Sequence, residues 1–364
     1  MYLPMRAATL LLWLTMSCIS GQILAQAPAW ALLPFVKVDS VNPILQPRWS
    51  PAWRDPISGQ EVHWMSHNVL NPAAVVKDGK LYLLFRAQDS SAQAPSGTSR
   101  IGLAYSSDGL HFHIHSTPVL YPAHDALLRY EWPGGIEDPR VVKREDGLYV
   151  MTYTAYDGHT ARLCIASSRD LLHWTKHGLA FPDTPNLWSK SGAIISTYRE
   201  GGPVAQKIQG KYWMYWGDTH IFLASSSDLI HWHIVRDSSG HLLSVLAPRP
   251  HHFDSRLVES GPPPVWTTHG ILLIYNGMNA ADSMRDTAWP PDMYGVGQAW
   301  IDPLHPQRVL HRLTSPFLIP EKTYELHGQV NRVCFAEGLV RLAGKWFLYY
   351  GTADSRVAVA VLQP

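Results

Sequence analysis

Asp138, Glu259 and Glu337, together with the amide of Asn71, each stand at or near the start of a strand-like run, between 7 and 11 residues ahead of a turn glycine. If those runs are equivalent strands around one axis, these groups face a common funnel although they lie far apart in the chain. Carboxylates gathered that way repel one another and lose water, so one is driven to hold its proton while another stays ionised. Such a pair is the working part of a glycosidase, in which one acid protonates the leaving oxygen and one base activates water. Arg86 and Arg140 each offer five donors in a fixed fork, suited to holding sugar hydroxyls or to locking carboxylates in place. Asp218 closes the strand-like run that precedes it, and Tyr275 and Asn276 end a fourth run facing the same funnel. Most of the 15 Trp read as core; Trp216, beside Asp218, reads as a sugar platform.

The elements that must position these groups are legible as a repeat. A residue plus Gly precedes an aromatic-rich strand five times: Asp78-Gly79, Asp146-Gly147, Gln209-Gly210, His269-Gly270 and Ala343-Gly344. An X-Gly pair between β-rich runs signals a hairpin, because Gly accepts positive φ without cost. The glycines are 68, 63, 60 and 74 residues apart. In three units a small-residue strand follows and leads through an Asp turn to a closing aromatic: Ala104 to Phe112, Ala166 to Trp174, and Ala224 to Trp232. Five units of this kind predict an all-β fold, a five-bladed β-propeller occupying residues 28–364 as a single catalytic domain. Pro72, Pro139, Pro203 and Pro262 lie 7 or 8 residues before their turn glycines. Proline in a sheet favours a strand's first residue, so the inner strands are expected to begin there. A pair of β-sandwiches is the competing architecture.

Composition narrows the partners. The 364 residues carry 30 Lys+Arg against 29 Asp+Glu, a net charge of +1, and only 16% are charged. That balance excludes a dedicated nucleic-acid binder, which needs a basic face, and 46% apolar content excludes disorder. Tyr and Trp suit the faces and hydroxyls of a sugar. Residues 1–27 read as a secretory signal: a basic start, an apolar run from Ala7 to Met16, and Ala25-Gln26-Ala27 as cleavage site. The expected location is periplasmic or secreted, with no membrane span after cleavage. Beyond that segment only Cys164 and Cys334 remain; both sit in apolar runs and read as buried thiols, with one disulfide left open. His111, His113 and His115 alternate along one strand face and read as a solvated edge. No metal or cofactor is expected.

Gly135-Ile136-Glu137-Asp138-Pro139-Arg140, with Asn71-Pro72-Ala73, Phe85-Arg86-Ala87-Gln88-Asp89, Gly261-Pro262-Pro263 and Tyr349-Tyr350-Gly351-Thr352-Ala353-Asp354, resembles glycoside hydrolase family 130. The resemblance runs from about Asn71 to Ala358 and implies a five-bladed propeller acting on β-mannosides. It implies that Asp138 is the general acid and that Asp89 and Asp354 hold sugar hydroxyls. Where many of the family's phosphorylases resemble Lys-Tyr-x-Met-x-His-Arg-Pro, this chain has Lys211-Tyr212-Trp213-Met214-Tyr215-Trp216-Gly217-Asp218. Trp216 and Gly217 replace the His and Arg, while Asp218 and Glu259 add negative charge that would repel phosphate. The expectation is therefore inverting hydrolysis of an oligosaccharide or glycoside, with Asp138 as acid, Glu259 as base and Asp218 positioning water. The alternatives are phosphorolysis with inorganic phosphate, a non-catalytic carbohydrate-binding propeller, and a related clan acting on arabinosides or xylosides.

Overall fold

The computed structural model describes residues 27–90 and 97–363. The expected signal segment lies outside the described residues, apart from Ala27. The fold is all-β, and the described residues include two single-turn helices, Leu128–Glu131 and Thr323–Leu326. Among the described residues no helix is long and apolar enough to cross a membrane.

The five repeats become five antiparallel units. The first pairs Asn68–Lys77 with Lys80–Gln88, and the latter with Ser99–Ser106. Its turn, Asp78-Gly79, has φ of 51° and 72°, two positive values in a row as a tight two-residue hairpin of matching twist requires. The second runs Gly135–Lys143, Tyr149–Tyr156, Ala161–Ser168, Thr175–Leu179. The fourth centres on Gly270–Met278 and Tyr294–Ile301. The fifth comprises Cys334–Leu342, Lys345–Thr352 and Arg356–Leu362, and its outer strand comes from the other end of the chain, Phe35–Lys37.

The third unit departs from expectation. Gly202–Ala205 does not open its inner strand; it pairs with Ser196–Arg199 in a separate hairpin. The strand beside Lys211–Trp216 is instead split into Ala193–Ile194 and Lys207–Ile208, on either side of that hairpin.

The proline expectation also needs correcting, for a physical reason that matters to the site. Pro72 and Pro139 lie inside their strands, at register shifts between Leu70 and Pro72 and between Glu137 and Arg140. A third shift, between Ala336 and Gly338, falls at Glu337. A β-bulge frees a residue from the ladder, so a missing N–H is tolerated there as it is at a strand start. The residues left out of the pairing are Asn71, Asp138 (with Pro139) and Glu337.

Apolar burial lies between units. One cluster joins units one and two (Leu84, Ile101, Val141, Met151), and others join two to three, three to four, and four to five. A further cluster packs the fifth unit against the first (Leu83, Phe85, Tyr349, Val359). Successive strand residues point to opposite faces; here both faces are apolar, each feeding a different inter-unit core. Cys164 and Cys334 are buried free thiols.

Candidate active site

The bulges turn their freed side chains toward one another. Asn71 Nδ2 donates to Asp138 Oδ1 at 2.9 Å, across 67 residues of sequence. Both residues have φ of 48°, a left-handed conformation that non-glycine residues rarely adopt and that clusters at functional sites. Ser191 (φ 57°) and Asp354 (φ 48°) share it. Gly351 is where the fifth unit approaches Asn71: a Cβ there would collide with the Asn71 carboxamide oxygen.

Three cations thread the carboxylates. Arg86 Nη1 lies 3.2 Å from Asp138 Oδ1, Nη2 lies 2.7 Å from Glu137 Oε1, and Nε donates to Ser99 Oγ at 3.0 Å. Lys190 Nζ stands between Asp138 Oδ2 at 3.6 Å and Glu259 Oε1 at 3.5 Å. Those two carboxylate oxygens are therefore no farther apart than about 7 Å, a bound that admits both the roughly 5–5.5 Å spacing of retaining glycosidases and the lower edge of the roughly 6.5–9.5 Å window of inverting ones. Arg140 lies 3.0 Å from Glu337 Oε1. Ser191 Oγ donates a hydrogen bond to Glu259 Oε1.

Electrostatics separate these acids. Burial alone would raise the Asp138 carboxyl, but Arg86, Lys190 and the Asn71 hydrogen bond outweigh it and hold it well below the usual range. Burial raises Glu259 despite Lys190, and the charge of Asp218 pushes it further. Glu137 is raised by burial against the pull of Arg86. Burial pushes Asp354 up to about 6, with Arg86 opposing. Glu337 is raised most clearly, well above the carboxylate range, by burial against Arg140. The ionised state of Asp138 in this arrangement is a base's state, at odds with the simple expectation of a ready-protonated acid.

The structure thus brings together Asn71, Arg86, Asp138, Arg140, Glu259, Glu337 and Asp354. Asp218 stands at the rim, close enough for its charge to act on Glu259 and Lys190. The structure places four other expected sugar contacts away from this cluster. Trp216 is 1% exposed, packed against Phe181 and Phe222 with ring centroids 4.8 and 5.1 Å away; strand parity aims it into the core between units two and three. Tyr275 points into the next core, where its hydroxyl donates to Asp254 at 2.7 Å. Asn276 is spent on the fifth unit: it accepts from Ala336 N at 2.8 Å and donates to Ala336 O at 3.1 Å. Asp89 accepts from Arg100 at 2.7 Å and from Thr98 N at 3.1 Å, bracing the first unit. Glu337 has no exposed surface.

Other neighbours escaped the sequence reading. Ser191 carries no repeat signature. Trp188 is 47% exposed beside Lys190, its indole N–H donating to Asp218 Oδ2 at 2.8 Å; it, rather than Trp216, is the exposed indole here. Tyr294 lies near enough to Glu259 for that charge to add to the effect of burial in raising its phenol. Among the described residues no group of three or more His, Cys, Asp or Glu is arranged to hold a metal ion.

Comparison with known proteins identifies the family to which this scaffold belongs. The profile of a family described as β-1,4-mannooligosaccharide phosphorylase matches residues 49–363, and the chain belongs to glycoside hydrolase family 130. It is 32% identical over 309 residues to a 1,2-β-oligomannan phosphorylase of Thermoanaerobacter sp. (strain X514), covering 83% of this chain and 92% of that one. A β-1,2-mannobiose phosphorylase of the same organism is 30% identical over 316 residues, covering 84% and 93%. Among solved structures, one from work on family 130 glycoside hydrolases that target β-1,2 mannosidic linkages in Candida mannan superposes with a TM-score of 0.90 at 44% identity, covering 93% and 96%.

Proposed function

We propose that this chain is an exported enzyme that hydrolyses β-mannosides, with β-1,2-linked mannosides as substrates, on a five-bladed propeller spanning residues 28–364. The closed propeller is supported by the core between the fifth and first units and by Phe35–Lys37 completing the last sheet. The substrate class is supported by the activities named for the relatives. Export rests on the sequence of residues 1–27 alone.

One observation carries the choice of water as nucleophile. Each cation at the site already faces carboxylates: Arg86 faces Glu137 and Asp138, Lys190 faces Asp138 and Glu259, and Arg140 faces Glu337. A phosphate dianion would enter a cluster in which acids outnumber cations. In this reading Asp138 is the acid and Glu259, raised toward neutrality and held by Ser191, is the base. Asp218 helps position water with the oxygen that Trp188 does not use. Asn71, Arg86 and Asp354 hold sugar hydroxyls. A bound sugar draws the hydrogen bonds of Asn71 and Arg86 away from the already buried Asp138, which raises its carboxyl toward an acid's range.

Phosphorolysis is the second reading. The curated relatives are named as phosphorylases and favour it more than water, and Lys190 is the cation that would meet phosphate. The deciding experiment is product analysis of β-1,2-mannobiose cleavage with and without inorganic phosphate. Hydrolysis predicts free mannose at a rate independent of phosphate. Mannose 1-phosphate formed only when phosphate is present would establish the second reading instead.

A further inference from the structure

Glu337 occupies the bulge of the fifth unit as Asp138 occupies that of the second, but it has no exposed surface, and among the described residues neither carboxylate oxygen has a hydrogen-bond partner. Burying an acid without donors is costly, so the position needs a reason. The group it faces supplies one. Arg140 Nη2 lies 3.0 Å from Glu337 Oε1, without the alignment of a hydrogen bond. Three of the five donors of Arg140 are committed elsewhere: Nε to Gly261 O at 2.9 Å, Nη2 to Ser260 O at 2.6 Å, and Nη1 to Asp138 O at 3.3 Å. One guanidinium therefore ties the backbone of Asp138 to the two residues that follow Glu259. Glu337 stands against that guanidinium from a third unit.

We propose that Glu337 is a positioning residue that acts through Arg140 to fix the separation and orientation of Asp138 and Glu259, without touching the sugar. This rests on the reading of Asp138 and Glu259 as the reacting pair. A carboxyl facing Arg140 keeps the guanidinium from sliding off the Ser260 and Gly261 carbonyls; a smaller side chain lets it move and carries both strands with it. Misplacement by about 1 Å is enough to cost on the order of 10²-fold in rate. Asp138, Glu259 and Lys190 also face Glu337, and burial favours its neutral form, so an amide of the same shape should substitute for it.

The test compares Glu337→Ala, Glu337→Asp and Glu337→Gln, each checked for folding by thermal melting, in steady-state cleavage of β-1,2-mannobiose. Glu337→Ala should lower kcat about 10²-fold with KM within about threefold. Glu337→Gln should restore kcat to within about threefold of wild type. Wild-type kcat in the Ala variant, a change confined to KM, or a Gln variant as poor as Ala would overturn the proposal. If the Ala variant does not fold, Glu337→Asp, which withdraws the carboxyl by one methylene, must show the same kcat-selective loss. A wild-type protein inert on the disaccharide with and without phosphate would defeat the functional reading instead. The positioning claim is then read by carbon-13 NMR titration of Asp138 and Glu259. Their midpoints should move in the Ala (or Asp) variant and not in Gln; unchanged midpoints would overturn it.

Discussion

Glu325 and Glu337 are both wholly buried acids, twelve positions apart, yet their surroundings differ in kind. Glu325, on the helix Thr323–Leu326, accepts from Tyr350 OH at 2.9 Å, from Lys37 Nζ at 2.7 Å, and from the backbone N–H groups of Glu321 and Lys322 at 2.8 and 2.9 Å. The same device recurs on the helix Leu128–Glu131, where Glu131 accepts from Tyr153 OH at 2.9 Å and Lys176 Nζ at 2.5 Å. Both oxygens of each acid are served, and each clamps a short helix to its own unit. Among the described residues Glu337 receives no hydrogen bond, while Asp138 and Glu259 each accept on one oxygen only, Asp138 Oδ1 from Asn71 and Arg86 and Glu259 Oε1 from Ser191, and share Lys190 at about 3.5 Å. Saturated acids hold the fold; under-satisfied ones mark where a ligand or a moving proton completes the set.

Breaking a saturated clamp should give the largest change in stability. Glu325→Ala leaves the Lys37 ammonium without its buried partner and should cost about 3–5 kcal/mol, read by chemical denaturation. Its kcat per folded molecule should stay within about twofold, since a clamp acts on stability and not on the reacting pair. A Glu325 variant with normal stability and lost activity would erase the distinction between the two kinds of acid.

A smaller effect should appear at the open end of the comparison. The folded-state value of Asp354 is raised from 3.8 to about 6, so the fold favours its neutral form. Its contribution to stability is full below about pH 4 and is lost as pH rises through about 6. Asp354→Asn should flatten that part of the pH–stability curve, measured by melting from pH 4 to 7. An unchanged slope would place Asp354 among the saturated acids.

The sequence carried the unit count because glycine turns are written locally: each needs positive φ at a fixed place. It also carried Asn71 and Asp138, which lie 8 and 9 residues before their turn glycines, whereas Arg86 came through the family resemblance. The bulges were hidden because proline in an apolar run reads alike at a strand start and at a gap in the ladder. Ser191 was hidden because the hairpin Ser196–Ala205 interrupts the third inner strand and removes the pattern that would have placed it. Trp216 and Tyr275 misled because both faces of these strands are apolar. Parity then tells which core a side chain enters, not whether it reaches the mouth.

The claim that Asp138 is the acid, despite being held ionised, is tested most directly by leaving-group dependence in Asp138→Asn. General acid catalysis contributes roughly 10²–10⁴-fold when the leaving oxygen needs a proton, and little when it does not. The variant's kcat should fall by about 10³-fold or more on β-1,2-mannobiose. It should stay within about tenfold of wild type on an aryl β-mannoside whose phenolate leaves unaided, while Glu259→Gln should be impaired on both. An Asp138→Asn variant equally inactive on both substrates would contradict the account and give Asp138 the base's role.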